Sequence, residues 1–219
     1  LLYEVSYTGL NQVSQVRELL LGQEQAVSSF AYDPNGAIES TTHPRSHSEF
    51  AYDARNLLSS VTNGVSPTDP SPKVTTYTYT PKGERLHEVK GNDNTVDYTY
   101  FSDGALQSQV ERKADGTLVA EHTITYEPNG NRATDVARTM NADNHADLLE
   151  TTSNYTYDPL DRLARLERTG DGAGVETYTH DANNNVISQT TGGSTRTFVY
   201  DRNRLVTSSS LLGYGVANA

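Results

Sequence analysis

The segments FAYDPNGAIESTT (30–42) and FAYDARNLLSSVT (50–62) are nearly the same phrase written twice. If the second aromatic residue of the phrase is position 0, nine such anchors occur along the chain, about 24 residues apart, a spacing typical of repeat proteins. The anchors are Tyr7, Tyr32, Tyr52, Tyr79, Tyr100, Tyr126, Tyr157, His180 and Tyr200. The sequence therefore predicts an array of about nine repeats over residues 5–206, with a tail or the start of a further repeat at 207–219.

The first half of each repeat has the pattern of a strand with one buried face. Position −2 is aromatic or β-branched in every repeat, and position −1 is often threonine. This alternation has the period of a β-strand, and 12 of the 14 tyrosines lie at positions −2 and 0. We expect these two columns to form the structural core, at Phe30, Tyr32, Phe50, Tyr52, Tyr77, Tyr79, Tyr98, Tyr100, Tyr126, Tyr155, Tyr157, Tyr178, Phe198 and Tyr200.

The middle of each repeat has the pattern of a tight turn. Position +1 is often aspartate, and position +4 is glycine, asparagine or aspartate in eight of nine repeats. These residues favour a type I turn followed by a residue with positive φ, which closes a hairpin with a G1 bulge. That register places position 0 opposite +6, which is mostly aliphatic. A second apolar column at +9 is out of phase with +6 and indicates an intervening bulge. The predicted turn glycines are Gly36, Gly83, Gly104 and Gly130.

The second half of each repeat must turn back before the next phrase begins. The segment at 13–25 is expected to be strand, not helix, because it starts inside a return strand and contains a glycine. Longer loops are predicted at 66–73 and 140–147. Hairpin signals occur at Asn63-Gly64, Gly91-Asn92, Asp115-Gly116, Asp171-Gly172 and Gly192-Gly193.

The phrases FAYDPNGAI, YTYDPLDRL and FVYDRNRL resemble the YD repeat of the Rhs family, and the resemblance covers about Val5 to Val206. That family includes bacterial Rhs and wall-associated toxins, the insecticidal toxin-complex shell and the teneurins. The resemblance implies an all-β fold in which tandem YD-repeat β-hairpins form a continuous twisted strip, part of a hollow shell or barrel.

The same resemblance implies a structural scaffold, secreted or at the cell surface, that encloses or presents a toxin or other cargo. The alternative that it implies is an adhesion module that binds carbohydrate or a cell surface. Asp33-Pro34 and Asp158-Pro159 look like the self-cleavage motif of Rhs shells. Both occupy the turn column, however, and neither is followed by the family's G-x-N-x-Y-x-Y segment, so we interpret both as turns.

No residues are predicted to form a catalytic, cofactor or metal site, and the chain is not expected to be an enzyme. The sequence has no cysteine, which excludes disulfides and thiolate metal sites. Pro44 separates His43 from His47 and excludes a helical metal pair. Residues 141–152 lack the glycine and the bidentate glutamate of a calcium-binding EF-hand loop, since Ala146 and Thr152 stand there.

Charge and hydropathy limit the expected partners. The balance of 28 acidic against 17 basic residues gives a net charge of −11, which argues against nucleic acid. No apolar run approaches the ~20 residues of a membrane span. The start of the chain has neither a methionine nor a basic segment, so we expect a piece of a longer protein. The expected partners are flanking YD-repeat segments of the same protein or copies of itself, with an enclosed toxin or a cell-surface glycan.

Overall fold

The computed structural model describes residues 1–209 and 215–217, which form strands joined by turns and loops. Residues 210–214 and 218–219, which include part of the predicted tail, lie outside the described residues. The chain forms two compact units, one of Leu1–Tyr98 with Arg112–Gly116, and one of Thr99–Glu111 with Thr117–Ala219.

The described residues contain nineteen strands. The first nine are β1 Leu2–Tyr7, β2 Val13–Leu20, β3 Gln23–Tyr32, β4 Ile38–His43, β5 Ser46–Tyr52, β6 Leu58–Gly64, β7 Lys73–Tyr79, β8 Arg85–Val89 and β9 Thr95–Tyr100. The others are β10 Leu106–Arg112, β11 Leu118–Tyr126, β12 Arg132–Met140, β13 Leu148–Tyr157, β14 Leu163–Gly170, β15 Gly174–His180, β16 Val186–Thr191, β17 Ser194–Asp201, β18 Arg204–Ser209 and β19 Gly215–Ala217.

Within each unit the strands follow one another as antiparallel hairpins. In the first unit β1 pairs with β2, β2 with β3, and so on to β9. In the second unit the same succession continues from β11 to β19. The prediction of an all-β chain of tandem hairpins is confirmed. The discounted helix at 13–25 is likewise strand, in β2 and the start of β3.

The predicted register is present, and a bulge explains the +9 column. Tyr32 lies opposite Ile38, whereas Ala31 lies opposite Ser40, so Glu39 has no partner across the hairpin. Because this extra residue shifts the alternation by one, +6 and +9 face the same side as the tyrosines. The same 0-to-+6 pairing occurs at Tyr7–Val13, Tyr52–Leu58, Tyr79–Arg85, Tyr126–Arg132, Tyr157–Leu163 and His180–Val186.

The ninth repeat has a different turn from the one predicted. Tyr200 pairs with Leu205, not with Val206, and Asp201 pairs with Arg204. Arg202 and Asn203 have φ of 47° and 64°. Positive φ at both central residues of a two-residue loop is characteristic of a type I′ turn, so the position predicted to turn, Arg204, begins a strand instead.

The turn predicted at Asn63-Gly64 is also wrong. Both residues belong to β6, where Asn63 pairs with Ser48 on one side and with Lys73 on the other. The chain reverses in the following loop, at 65–72. There the Asp69 carboxylate accepts the N–H groups of Val65 and Ser71 at 2.8 and 2.9 Å and holds the loop closed.

Side chains that are fully shielded from solvent are few. In the described part of the chain the buried hydrophobic residues are Leu19, Val96, Ile124 and Leu166. The contacts between strands within each unit join strands that are consecutive in the chain. The low apolar content of the sequence thus corresponds to hairpins laid side by side, without a thick core between packed layers.

Candidate functional site

The turn of each of the first eight repeats is organised around the residue at +1. In the second repeat the Asp33 N–H donates to the Ala37 carbonyl at 2.9 Å, and the Gly36 N–H donates to the Asp33 carbonyl at 3.0 Å. One carboxylate oxygen of Asp33 also accepts the N–H groups of Asn35 and Ala37, at 2.9 and 2.8 Å. This pattern explains the aspartate of the repeat phrase, because its side chain satisfies turn donors that the strand ladder leaves free.

The same turn recurs along the chain with small changes. Asp53, Asp158 and Asp181 accept the corresponding pairs of backbone N–H groups, and the Thr8 hydroxyl does so at 3.2 Å. Position +4 has positive φ in eight repeats. The residues are Asn11 (62°), Gly36 (86°), Asn56 (63°), Gly83 (93°), Gly104 (90°), Gly130 (88°), Asp161 (59°) and Asn184 (68°).

Hydrogen bonds lower the pKa of three turn carboxylates, those of Asp53, Asp158 and Asp181. The Arg162 guanidinium lies 2.6 Å from the Asp158 carboxylate. Its hydrogen bond, with those from the backbone, lowers the pKa of Asp158 to about 2. The Leu57 N–H lowers the pKa of Asp53 in the same way. The Asn185 side-chain amide lowers the pKa of Asp181.

Side chains of one turn bind the turn of the next repeat. Arg162 donates to the Asp181 carbonyl at 2.9 Å and to the side chain of Asn184 at 3.1 Å. Comparable bonds join Arg55 to the Thr80 carbonyl, Gln12 to the Gly36 carbonyl, Asn129 and Asn131 to Asp161, and Asn185 to Asn203. Among the described residues, bonds of this kind therefore join five pairs of successive turns.

The anchor tyrosines make a second connection between repeats. Within the two units, the described residues include five repeats in which the hydroxyl at position 0 donates to the backbone carbonyl of residue +6 in the preceding repeat. We call this the tyrosine–carbonyl bond. The pairs are Tyr32–Val13 (2.8 Å), Tyr52–Ile38 (2.9 Å), Tyr79–Leu58 (2.6 Å), Tyr126–Leu106 (3.0 Å) and Tyr157–Arg132 (2.9 Å).

Sequence reasoning missed the tyrosine–carbonyl bond, although a signal was present. Position −2 varies among tyrosine, phenylalanine, isoleucine and valine, which is what packing alone permits. Position 0 is tyrosine in every repeat but that of His180. Phenylalanine never occurs at position 0, although it would pack as well as tyrosine. The preference for the ring that carries a hydroxyl indicates that the hydroxyl makes a hydrogen bond.

Two repeats replace the aliphatic residue at +6 by arginine. Arg85 forms an ion pair with Glu88 at 3.2 Å, and its guanidinium carbon lies 4.4 Å from the centre of the Tyr77 ring. Arg132 similarly pairs with Asp135 at 3.3 Å. In both repeats the acid stands at +9, so an ion pair and a cation–π contact replace an apolar pair on the tyrosine face.

The predicted core residues share one environment. All fourteen are half-buried, and none belongs to the fully buried group. Thr78, Thr99, Thr125, Thr156 and Thr179, each next to an anchor, are exposed. Half-buried and exposed residues thus alternate along the strand as expected. The tyrosine rings, however, lie on a face of the sheet that solvent still reaches. Their role as the structural core stays a prediction.

The histidines have separate neighbours. His43 contacts the Ser28 hydroxyl at 2.7 Å, and His47 contacts that of Thr42 at 2.8 Å. His87 and His122 pair with Asp97 and Asp135 at 2.6 and 3.0 Å. Among the described residues no three histidine or acidic side chains are placed to hold a metal ion. No helix of residues 1–209 and 215–217 has the length and hydrophobicity of a membrane span.

Two curated relatives are similar to this chain in sequence. A tRNA3(Ser)-specific nuclease WapA of Bacillus spizizenii is 27% identical to the chain over 238 aligned residues, and a tRNA nuclease WapA of Bacillus subtilis is 25% identical. Each alignment covers 92% of this chain and 9% of the relative, so the chain spans a small part of the proteins it matches. No family model matches the chain.

Several solved structures have the same fold. The crystal structure of TcdB2-TccC3-TEV matches 94% of this chain with a TM-score of 0.58 at 15% identity, over 14% of its own chain. The Photorhabdus luminescens Tc holotoxin pore with a TccC3 mutation matches 91% with a TM-score of 0.55 at 14% identity, also over 14%. At these identities the likeness concerns the fold.

The comparisons correct one expectation. The prediction that the chain is not an enzyme is contradicted, because both curated relatives are named as tRNA nucleases. The motifs of the chain itself give no indication of a nuclease. The name belongs to proteins of which the alignment with this chain covers 9%. The expectation that nucleic acid is not a partner stays a prediction.

Proposed function

We propose that this chain, which is built of YD repeats of the Rhs type, forms a wall segment of a repeat shell that encloses or presents a toxin or other cargo. The observation that carries the proposal is the set of hydrogen bonds between successive repeats. Within each unit a tyrosine–carbonyl bond, a bond between turns, or both join each hairpin to the next, so the sheet is extended by adding repeats and not by packing layers.

The scarcity of buried side chains supports a wall. A globular domain of this length buries a contiguous apolar core, whereas four hydrophobic side chains are buried among the described residues. The similarity of fold to the TcdB2-TccC3 structures supports the same proposal. A secreted or cell-surface location follows from this function and is part of the proposal.

Electron microscopy of the complete protein that contains this chain tests the proposal. We expect a hollow particle in which residues 1–209 line the wall, and a cargo segment that resists trypsin in the intact particle. A variant that carries both Tyr52→Phe and Tyr79→Phe lacks two tyrosine–carbonyl bonds between repeats, and it should raise the rate of cargo digestion. Tyr3→Phe, on an exposed ring outside the repeat columns, serves as the control. A compact particle without a lumen, or a cargo equally sensitive in all variants, contradicts the proposal.

A groove in the second unit favours a second candidate, a carbohydrate-binding surface. Its volume is about 330 Å³, and Phe101, Asp103, Tyr126 and Glu127 are among its lining residues. The Phe101 and Tyr126 rings meet edge to face, 6.1 Å between centroids. Aromatic rings beside carboxylates suit a sugar, although most rings of the repeat columns are half-buried. Titration of the chain with a glycan panel tests this candidate, and binding unaffected by Phe101→Ala rejects it for this groove.

Because both curated relatives are named as tRNA nucleases, we also propose that the complete protein has tRNA-nuclease activity. Incubating tRNA with the complete protein, and separately with residues 1–219, tests both the activity and its location. Cleavage by the complete protein alone places the activity outside this chain. Cleavage by residues 1–219 places it within the repeats, and no cleavage by either rejects the proposal for tRNA.

A further inference from the structure

The dipeptide Asn-Gly occurs three times in the sequence, and the fold places it in three different settings. Asn35-Gly36 and Asn129-Gly130 lie in the turns of the second and sixth repeats, where both asparagines are exposed, and Asn63-Gly64 lies inside β6. In this dipeptide the glycine backbone nitrogen is a good nucleophile towards the asparagine side-chain amide carbon, because glycine has no Cβ to hinder the approach. The three sites therefore share one reactive unit and differ in how the fold restrains it.

The Asn35 side chain is the unrestrained one. It is exposed and has no hydrogen-bond partner among residues 1–209 and 215–217. The Asn35 backbone N–H donates to the Asp33 carboxylate at 2.9 Å, so the turn keeps the backbone in place while the side chain rotates. The Gly36 N–H donates to the Asp33 carbonyl at 3.0 Å, and this one bond must open before the Gly36 nitrogen can attack the Asn35 amide.

The Asn129 side chain is held by the turn of the next repeat. Its amide nitrogen donates to the Asp161 carboxylate at 2.7 Å, and its oxygen accepts the Asn131 N–H at 3.3 Å. The Gly130 N–H makes the same turn bond as that of Gly36, to the Glu127 carbonyl at 2.9 Å. The two turns thus differ in the side chain, because rotation of the Asn129 amide towards the Gly130 nitrogen breaks a bond to a charged group.

The Asn63 site is held by its backbone. Asn63 pairs with Ser48 of β5 on one side and with Lys73 of β7 on the other, and its side-chain oxygen accepts the Ser48 hydroxyl at 2.7 Å. A Cβ placed on Gly64 would lie 2.8 Å from that of Asp69, so the following loop packs directly against this glycine. Ring closure at Asn63 would require the strand to leave both of its neighbours.

We propose that Asn35 is a site of spontaneous deamidation, and that the bond from Asn129 to Asp161 protects the other turn from the same reaction. The Gly36 nitrogen bonds to the side-chain amide carbon of Asn35 and loses its proton, and the amide nitrogen leaves as ammonia. Water then adds to either carbonyl of the resulting five-membered succinimide ring and opens it to aspartate or isoaspartate. The net reaction consumes water, converts the amide to a carboxylate and releases ammonium, with no oxidation or reduction.

The modification changes a connection between repeats. The Gly36 carbonyl accepts the Gln12 side-chain amide at 3.2 Å, which joins the second turn to the first. Isoaspartate adds a methylene carbon to the main chain directly before Gly36 and therefore displaces this carbonyl. The bond between the two turns is lost in the isoaspartate form, whereas the aspartate form keeps the backbone and the bond. The connection between the first two turns thus weakens as the protein ages.

Mass spectrometry of tryptic peptides from protein incubated in warm, mildly alkaline buffer tests the proposal. The peptide of residues 18–45 contains Asn35 as its single asparagine, so its conversion from amide to carboxyl is measured directly. In the folded protein Asn35 should convert fastest, Asn129 more slowly and Asn63 most slowly. In concentrated urea the three rates should become similar. An Asn35 rate in the folded protein no higher than that of Asn63 overturns the proposal.

Asp161→Gly tests the protection of Asn129. It removes the acceptor and keeps the positive φ of position +4, where four other repeats have glycine. The readout is the ratio of the Asn129 rate to the Asn63 rate in the same sample, because any general unfolding accelerates both. The ratio should rise towards that of Asn35 to Asn63, and an unchanged ratio overturns the protection.

Separating the aged forms by chromatography tests the effect on the fold. The isoaspartate form should unfold about 2–4 °C below the unmodified protein, the shift expected for one net hydrogen bond in a chain of this size. Asn35→Asp reproduces the aspartate form with an unaltered main chain, and it should unfold close to the unmodified protein. Equal midpoints of the isoaspartate form and Asn35→Asp contradict the loss of the bond between Gln12 and Gly36.

Discussion

Replacing Tyr157 by phenylalanine isolates one tyrosine–carbonyl bond, since the ring stays and the hydroxyl leaves. The hydroxyl lies 2.9 Å from the Arg132 carbonyl of the preceding repeat. A net hydrogen bond of this kind contributes about 0.5–1.5 kcal/mol. Because Tyr157 is half-buried, water can reach part of the site in the variant, and we expect a loss near the middle of that range. The corresponding shift in unfolding temperature is about 2–4 °C.

Urea and thermal unfolding followed by far-UV circular dichroism measure this loss. The urea midpoint should fall while the slope of the transition is unchanged, because the surface exposed on unfolding stays the same. Tyr200→Phe is the matched control. Tyr200 stands in the same column and the same unit, and its hydroxyl has no hydrogen-bond partner among the described residues. If Tyr157→Phe destabilises no more than Tyr200→Phe, the tyrosine–carbonyl bond does not hold repeats together.

Removing the whole ring extends the same experiment. Tyr157→Ala should cost more than Tyr157→Phe but less than the ~3–5 kcal/mol typical of a fully buried large aromatic residue, because the ring is half-buried. Thr156→Ala, on the exposed face of the same strand, should cost far less. Equal effects of the two alanine variants on the unfolding midpoint would show that the two faces of the strand have been assigned wrongly.

The junctions and turns give three further predictions. His180→Tyr restores the missing hydroxyl opposite the Leu163 carbonyl and should raise the free energy of unfolding by up to about 1 kcal/mol; an unchanged or lower unfolding midpoint contradicts this. Gly130 has φ of 88°, and a methyl group added there would meet no atom within 4 Å. Gly130→Val should therefore destabilise through the backbone by about 1–2 kcal/mol or more, whereas Gly130→Asn should be mild, and equal unfolding midpoints of the two variants refute the turn assignment. Since the folded-state pKa of Asp158 is about 2, below the usual 3.8, its ionised form stabilises the fold above pH 4, and this contribution should disappear as the pH falls towards 2. A comparison of acid unfolding curves checks this, since Asp158→Asn should lose that part of the pH dependence and an identical curve rules it out.

The local elements were readable from the sequence because each depends on neighbouring residues. Turn positions such as Gly36 and Asn56 were identified by a steric demand for positive φ, and the 0-to-+6 register follows from the length of that turn. The two failures had local causes as well. Arg202 and Asn203 form a shorter turn, which the pattern of the other repeats does not predict. At Asn63-Gly64 the strand continues, and the chain reverses in the following loop, which Asp69 holds closed.

The connections between repeats depended on tertiary structure. The bond from Tyr157 to the Arg132 carbonyl joins residues that are distant in sequence, and no spacing rule identifies the acceptor, since every residue has a carbonyl. The degree to which the tyrosine rings are buried likewise depended on how all the strands of the sheet are arranged. The sequence by itself determined that the chain forms hairpins with tyrosines on one face, because turn sterics and strand alternation act over a few residues. The tertiary structure decided that those tyrosines act as hydrogen-bond donors between repeats, because only strand pairing brings a hydroxyl to the carbonyl of the preceding hairpin.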